Sequence, residues 1–311
     1  MNNKHNNPPD RSRLLTEKRL DASADLDTLS VKQTLVLIND QDVALAGAVR
    51  AALPAIEKLV ESVVSAVRRG GRLIYVGAGT SGRLGVLDAS ECPPTFHCDP
   101  DTVVGIIAGG DTSLRRSSEG CEDDVDGARD ELERLCIGSN DTVVGIAAGG
   151  TTPYVLGAVC LARQRCATTA LVCCVDADTE NVATDHIIQL HVGPEILTGS
   201  TRLKAGTATK LTLNMITTTV MAQLGKAWGN LMVDLRATNA KLIDRALRIL
   251  SEQCDLSRQE ARALLEKAEG RVKLALVMAR RSVDGRVAQQ LLDQHGQQLR
   301  PIIGPPKDSV V

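Results

Sequence analysis

Two glutamates occupy segments whose residue types suit proton transfer. Glu91 is followed by Cys-Pro-Pro, and the prolines predict that a helix starting near Gly82 ends at this glutamate. The carboxyl end of a helix carries partial negative charge, so it disfavours a carboxylate relative to its protonated form, which suits a proton donor. The competing interpretation from sequence alone is a solvated glutamate at a helix end.

Glu122 is the second candidate, and it lies in the acidic cluster of residues 119–126. A run of acids is usually the solvated face of a helix, and this interpretation stands beside the catalytic one. Crowding by neighbouring carboxylates makes each of them hold a proton more readily, as a catalytic base must.

A glycine- and hydroxyl-rich turn at residues 77–82 follows the apolar run 72–76, which predicts a buried strand leading into a helix. Backbone N–H groups from Gly79 onward, together with the hydroxyls of Thr80 and Ser81, would surround a phosphate. A dinucleotide-binding turn is the alternative interpretation. Such a site needs an acidic residue about 20 residues beyond the glycines to hold the ribose, and the nearest acid after the second predicted strand, Asp111, comes later than that. A purely structural strand-helix turn is the third possibility.

Residues 198–204 read TGSTRLK and predict a second anion site where another helix begins. Hydroxyls of Ser200 and Thr201 stand at the cap, and the cations Arg202 and Lys204 lie one turn in. Glu195 lies shortly before this segment. An ordinary N-cap explains the hydroxyls but not the two cations at the positive end of a helix.

Strand and helix patterns alternate around these turns. Segments 101–112 and 141–152 are nearly identical, and further strands are predicted at 169–175 and 186–192. The expected fold class is α/β, a doubly wound parallel sheet flanked by helices, with its glycine-rich turns at the carboxyl edge of the strands. A ligand crevice is expected there.

Three regions follow from this pattern. Residues 1–13 predict a disordered tail, residues 14–235 a ligand-binding domain with N-terminal helices, and residues 236–311 a small all-helical appendage. The appendage is expected to serve packing or dimer contact.

Composition excludes several classes of partner. The net charge of −2 and the four aromatic residues argue against nucleic acid binding. The polar start of the chain and the lack of an apolar run of about 18 residues argue against export or a membrane span, so a cytoplasmic location is expected. Nine cysteines then indicate reduced thiols, and the spacing of Cys92, His97 and Cys98 fits no zinc pattern, so we expect no metal.

Three blocks, residues 77–94, 193–215 and 230–242, resemble the N-acetylmuramic acid 6-phosphate etherases of the sugar isomerase (SIS) domain superfamily. The resemblance implies a homodimeric, cofactor-free lyase with an SIS-type sheet. Such an enzyme cleaves the D-lactyl ether of its sugar-phosphate substrate, N-acetylmuramic acid 6-phosphate, and releases N-acetylglucosamine 6-phosphate and D-lactate. Glu91 matches the proton donor of the S-E-C-P-P motif, and Glu122 matches the second catalytic glutamate of a G-x-E-D motif. The residues expected to bind the sugar phosphate are Gly79, Thr80, Ser81, Gly149, Thr151, Thr152, Glu195, Ser200, Thr201 and Lys204.

The chain departs from the family pattern twice. Where the etherases usually read A-A-S-G-R-T-P-Y, residues 147–154 read AAGGTTPY, so that Gly149 and Thr151 replace a serine and an arginine. We expect Thr151, Thr152 and backbone amides to compensate. The usual T-E-x-R-N appears as TEKRL at residues 16–20.

Two other functions remain open at the level of sequence. One is a non-catalytic sugar-phosphate sensor similar to the glucokinase regulatory protein, which carries two SIS domains where this chain has one. The other is an aldose-ketose isomerase of the same superfamily, which would use one base and release no lactate.

Overall fold

The computed structural model describes residues 14–176, 183–235 and 240–307. The segment predicted as a disordered tail, residues 1–13, lies outside this part. The chain divides into two compact units, one of Met1–Asp88 with Val104–Met215 and one of Ala89–Val103 with Ile216–Val311. The limits 14–235 and 236–311 for the two predicted domains stay a prediction.

A five-stranded sheet forms the centre of the first unit. Its strands, in chain order, are β1 Leu73–Gly77, β2 Val103–Ile107, β3 Thr142–Ile146, β4 Thr168–Cys173 and β5 His186–Gln189. Their spatial order is β2-β1-β3-β4-β5, and β1 pairs with β3, β3 with β4, and β4 with β5 in parallel. The order reverses beside β1, as in doubly wound folds, and the predicted α/β class is confirmed.

Helices flank this sheet. Those that begin in the first unit are α1 Val31–Val43, α2 Leu45–Ala51, α3 Leu53–Arg68, α4 Gly79–Phe96, α5 Arg129–Arg134, α6 Pro153–Gln164 and α7 Lys204–Gln223. One apolar core joins β1 and β3 to α6, with Val76, Val143, Val155 and Leu171 all fully buried. Burial of both faces explains why the strands read as continuous β-branched and apolar runs.

The N-terminal helices break at other positions than the sequence pattern predicts. Helical periodicity predicts two helices, at 31–39 and 43–69, whereas the structure has three, with breaks at Ala44 and Ala52. Pro54 explains the second break, because a proline has no N–H to donate and is tolerated in the first turn of a new helix.

The predicted end of α4 is wrong. The helix continues past Glu91 through Pro93 and Pro94 to Phe96. Each proline removes one N–H donor without forcing the chain out of its helical course, and the His97 N–H still donates to the Pro93 carbonyl at 2.9 Å. The start is also earlier than predicted, at Gly79 instead of near Gly82.

The second unit is mainly helical. A short hairpin, β6 Ala227–Trp228 and β7 Leu231–Met232, precedes α8 Ala240–Cys254, α9 Arg258–Lys267, α10 Val272–Arg281, α11 Gly285–Gln294 and α12 Arg300–Ile303. Its own core includes Trp228, Leu247 and Leu276. Ser257 and Glu260, whose spacing in the sequence predicts a capping box, exchange hydrogen bonds at the start of α9.

Across the described ranges, no helix combines the length and apolar character that crossing a bilayer requires.

Candidate functional site

The turn after β1, which we call the β1 turn (residues 79–81), has the features of an anion site. Gly79 opens α4 with φ of 53°, and a Cβ atom on Gly79 would meet nothing within 4 Å. The Gly82 N–H donates to the Ala78 carbonyl at 3.2 Å, whereas the N–H groups of the three preceding residues have no acceptor inside the helix. With the half-buried hydroxyls of Thr80 and Ser81, this helix end can bind a phosphate.

The turn after β3, the β3 turn (residues 149–152), lies at the same edge of the sheet. Strands β1 and β3 are neighbours in register, with Gly77 opposite Ile146 at their carboxyl ends. Gly150 has φ of 68°, and its N–H donates to the Ala147 carbonyl at 2.8 Å. The three predicted residues of this turn, Gly149, Thr151 and Thr152, therefore stand beside the β1 turn, with Thr151 exposed.

Glu122 is fixed at the amino end of α6, next to the β3 turn. Its backbone carbonyl accepts a hydrogen bond from the Tyr154 N–H at 3.0 Å. The following loop crosses α6 so closely that a Cβ atom on Gly157 would lie 1.8 Å from the Val125 carbonyl oxygen. Glycine is thus required at this crossing, and the Glu122 side chain is held by its backbone while it remains exposed to solvent.

Glu91 belongs to the second unit, where its side chain is exposed. Because α4 extends five residues beyond it, Glu91 does not stand in the last turn, and the predicted influence of the helix end on this carboxylate is corrected accordingly. The effect of Pro93 and Pro94 is confined to the helix backbone. A proline nitrogen carries no hydrogen, so neither residue donates to the carbonyl group four residues earlier.

Glu195 is buried where α7 begins. Glu195 is 0% exposed, and its carboxylate accepts hydrogen bonds from the N–H groups of Lys204 and Ala205, both at 2.9 Å. A carboxylate at this position satisfies the first amides of α7 and complements the positive end of its dipole. Glu195 is therefore the cap of α7, and its part in binding the sugar phosphate stays a prediction.

Lys204 is also engaged inside the protein. The residue is 3% exposed, and its Nζ donates to Gln41 Oε1 on α1 at 3.0 Å. Burial lowers the pKa of Lys204, and the nearby Glu195 and Asp42 charges oppose that shift. The Lys204 ammonium thus has a partner within the protein, and its contact with a sugar phosphate stays a prediction.

The turn before α7, which we call the α7 turn (residues 198–203), is satisfied by its own backbone. The N–H groups of Ser200 and Thr201 donate to the carbonyls of Leu197 and Gly199. Their half-buried hydroxyls remain as groups that can face a ligand. A Cβ atom on Gly206 would lie 3.3 Å from Thr80 Cγ2, so the start of α7 lies against the β1 turn.

Two residues at this edge were missed from the sequence. Gln41 holds Lys204 and gave no signal, because an isolated glutamine on a surface helix carries no pattern. Thr16 is 1% exposed and lies beside Gly149. Its signal was the incomplete T-E-x-R-N match, which the leucine at position 20 weakened.

Comparison with known proteins gives two kinds of match. Residues 55–163 match the glucokinase regulatory protein N-terminal SIS domain, and residues 229–289 match the C-terminal lid domain of glucokinase regulatory protein. Over nearly its full length the chain is similar to curated proteins named N-acetylmuramic acid 6-phosphate etherase. That of Crocosphaera subtropica is 50% identical over 294 residues, which cover 94% of this chain and 96% of the relative. That of Photobacterium profundum is 47% identical over 298 residues, covering 96% and 99%.

Among solved structures, the phosphoheptose isomerase from Neisseria gonorrhoeae is similar with a TM-score of 0.46 and 16% identity, over 61% of this chain and 98% of that one.

Proposed function

This chain belongs to the N-acetylmuramic acid 6-phosphate etherase family, and we propose that it is the carbon-oxygen lyase that cleaves the D-lactyl ether of N-acetylmuramic acid 6-phosphate. The products are N-acetylglucosamine 6-phosphate and D-lactate. The observation that carries the proposal is identity of about half of all positions with relatives of this name over 94% of the chain. A cytoplasmic role in peptidoglycan recycling follows from the same membership.

The chemistry calls for one base and one acid. In the ring-opened aldehyde form, the ether oxygen at C3 is β to the carbonyl, so the C2 proton is acidic enough for a carboxylate to remove. Glu122 takes that proton while Glu91 protonates the departing lactate oxygen, which leaves a C2–C3 double bond. Water then adds its oxygen to C3 and a proton to C2, so one water molecule is consumed in each cycle.

Phosphate recognition is assigned to the β1 turn and the β3 turn. The open amides at the start of α4 and the hydroxyls of Thr80, Ser81, Thr151 and Thr152 support this assignment. Ser200 and Thr201 add hydroxyls from the α7 turn, which lies against Thr80. Because the Glu195 carboxylate accepts the first N–H groups of α7 and Lys204 Nζ donates to Gln41 on α1, we assign to both residues the part of holding α7 in place.

The rival function is a sensor without catalysis. The two partial matches to glucokinase regulatory protein domains point in that direction, but each covers only part of the chain. The etherase relatives match almost end to end, and both candidate catalytic glutamates are present and exposed. An isomerase would need no group to protonate a departing lactate.

One assay tests the proposal. Purified protein is incubated with N-acetylmuramic acid 6-phosphate, and D-lactate is measured by a stereospecific coupled reaction. We expect catalytic release of D-lactate from the phosphorylated sugar and little from N-acetylmuramic acid itself. A protein that binds the sugar phosphate but releases no D-lactate would be a sensor, and conversion to a ketose would show an isomerase.

We further propose that the enzyme is a homodimer. Helix α1 exposes the apolar side chains of Val31 (78% exposed), Leu35 (61%) and Ile38 in one stripe spaced by three or four residues. A surface helix normally buries such a stripe, so a second copy of the chain is the partner we assign to it.

A further inference from the structure

A buried hydroxyl lies on the N-terminal segment, outside the residues discussed so far as ligands. Thr16 is the middle residue of a short 3-10 helix, Leu15–Glu17, and it is 1% exposed. Within the part of the chain that the structure describes, its Oγ1 has no hydrogen-bond partner. Burying a hydroxyl without a partner is unfavourable, so a group retained at such a position calls for an explanation.

The Thr16 hydroxyl faces the β3 turn. A Cβ atom on Gly149 would lie 4.0 Å from Thr16 Oγ1, 3.7 Å from Thr151 Oγ1 and 3.7 Å from Leu14 Cδ1. Two hydroxyls thus border a space that the missing side chain of Gly149 leaves open. A ligand oxygen that enters this space and comes to within about 3 Å of either hydroxyl can accept a hydrogen bond from it.

The segment that carries Thr16 is anchored on both sides. Leu14 and Leu15 pack against the apolar core of the sheet. On the other side, a Cβ atom on Gly199 would lie 3.2 Å from Glu17 Oε2, so the Glu17 carboxylate lies against the α7 turn. Residues 14–17 therefore run from the β3 turn to the α7 turn.

The groups that a phosphate would meet differ on the two sides of this segment. The Glu17 carboxylate lies against the α7 turn and disfavours a dianion close to it, whereas the Lys204 charge offsets that of Glu195. The β1 turn and the β3 turn offer amides and hydroxyls instead. Thr16 stands on this second side, where an anion is favoured.

We propose that Thr16 Oγ1 donates a hydrogen bond to the phosphate group of the bound sugar phosphate, and that residues 14–17 form one wall of the binding site. The proposal deepens the proposed function and rests on it in one respect, that the ligand is a 6-phosphorylated sugar. It accounts for the orphaned hydroxyl, because the ligand supplies the partner that the protein does not.

The test compares Thr16→Val and Thr16→Ser with a matched control, Thr142→Val. Thr142 is also a fully buried threonine whose Oγ1 lacks a partner among the described residues, but it stands at the amino end of β3, at the opposite edge of the sheet. The measurements for each variant are KM and kcat for N-acetylmuramic acid 6-phosphate, the Kd values of N-acetylglucosamine 6-phosphate and of N-acetylglucosamine, and Tm with and without inorganic phosphate.

We expect Thr16→Val to raise KM and the Kd of the sugar phosphate by about tenfold or more, as loss of a hydrogen bond to a charged group implies, with kcat changed by less than about threefold. Its Tm without ligand should not fall, and the rise in Tm with inorganic phosphate should shrink. Thr16→Ser should behave like the wild type, and Thr142→Val should leave KM unchanged.

Three results would overturn the assignment: a KM within about twofold of wild type in Thr16→Val, an equal loss in Thr142→Val, or equally weakened binding of unphosphorylated N-acetylglucosamine. Wild-type protein without lyase activity would instead refute the proposed function, while the Kd of the sugar phosphate and the phosphate-dependent Tm would still judge Thr16.

Discussion

The backbone fixes the positions of Glu122 and Glu91, and neither carboxylate has a hydrogen-bond partner among the residues that the structure describes. A hydrogen bond from Tyr154 to its carbonyl and the close crossing at Gly157 fix the position of Glu122. The continuous turns of α4 fix that of Glu91. Both carboxylates are exposed, as groups that exchange protons with a substrate must be.

Replacing either glutamate with glutamine tests these roles. We expect Glu91→Gln and Glu122→Gln each to lower kcat at least about a hundredfold, because glutamine keeps the shape but exchanges no proton. Circular dichroism and Tm should match the wild type, since both side chains are exposed. Near-normal turnover in one variant would remove that residue from the mechanism. Asp123→Asn, an exposed neighbour of Glu122, is the control and should retain activity.

Helix α7 depends on a buried, charged cap at its start. Glu195 satisfies two N–H groups at the start of this helix, and no solvent replaces it there because the side chain is fully buried.

Glu195→Gln therefore tests capping against phosphate binding. The variant loses the charge and one acceptor, and we expect unfolding free energy to fall by about 1–2 kcal/mol, measured by urea denaturation. KM for the sugar phosphate should change by less than about threefold. A large rise in KM without loss of stability would restore the role in phosphate binding that the sequence suggested.

An ion pair between Arg72 and Asp141 stabilises the amino edge of the sheet. The Asp141 carboxylate accepts hydrogen bonds from the Arg72 backbone and guanidinium and from the Gly138 N–H, at 2.9–3.0 Å. Burial alone would raise the pKa of Asp141, but these bonds outweigh it and hold the pKa below the ordinary value of 3.8. A lowered pKa means stability that is present above pH 3.8 and is lost as pH falls through the lower folded value.

Asp141→Asn should lower the unfolding free energy at pH 7 by about 3 kcal/mol, because it leaves the Arg72 charge without its partner. The difference in Tm between wild type and variant should narrow steadily as pH falls below 3.8. A constant difference down to pH 2 would show that the Arg72–Asp141 charge pair is not its source.

The elements also show where sequence reasoning works and where it fails. The apolar runs and the glycines that bound them identified all five strands of the sheet and the edge at which the turns meet. Both signals are local, because buried strands favour apolar residues and left-handed turns favour glycine. The course of α4 through Pro93 and Pro94 was not predictable, since packing overrides a local helix-breaking preference. The capping role of Glu195 was also hidden, because its partners, Lys204 and Ala205, are defined only once the helix start is placed.

For the whole molecule, the exposed stripe on α1 predicts association. Wild-type enzyme should sediment at twice the mass of the chain. Leu35→Glu with Ile38→Glu should shift it toward the monomer, because two buried charges at an apolar interface are strongly unfavourable. Asp40→Lys, an exposed change on another face of α1, is the control and should remain dimeric. A monomeric and fully active wild type would contradict the proposal.

In the proposed reaction, the whole enzyme cleaves an ether by elimination followed by addition of water. The most direct measurement is to run the reaction in deuterated, oxygen-18-enriched water and to analyse both products by mass spectrometry, using sugar fragments that contain C3 but not C1. We predict deuterium at C2 and oxygen-18 at C3 of N-acetylglucosamine 6-phosphate, with an unlabelled lactate hydroxyl. Oxygen-18 in that hydroxyl, or a sugar that keeps its original C2 hydrogen, would contradict the mechanism.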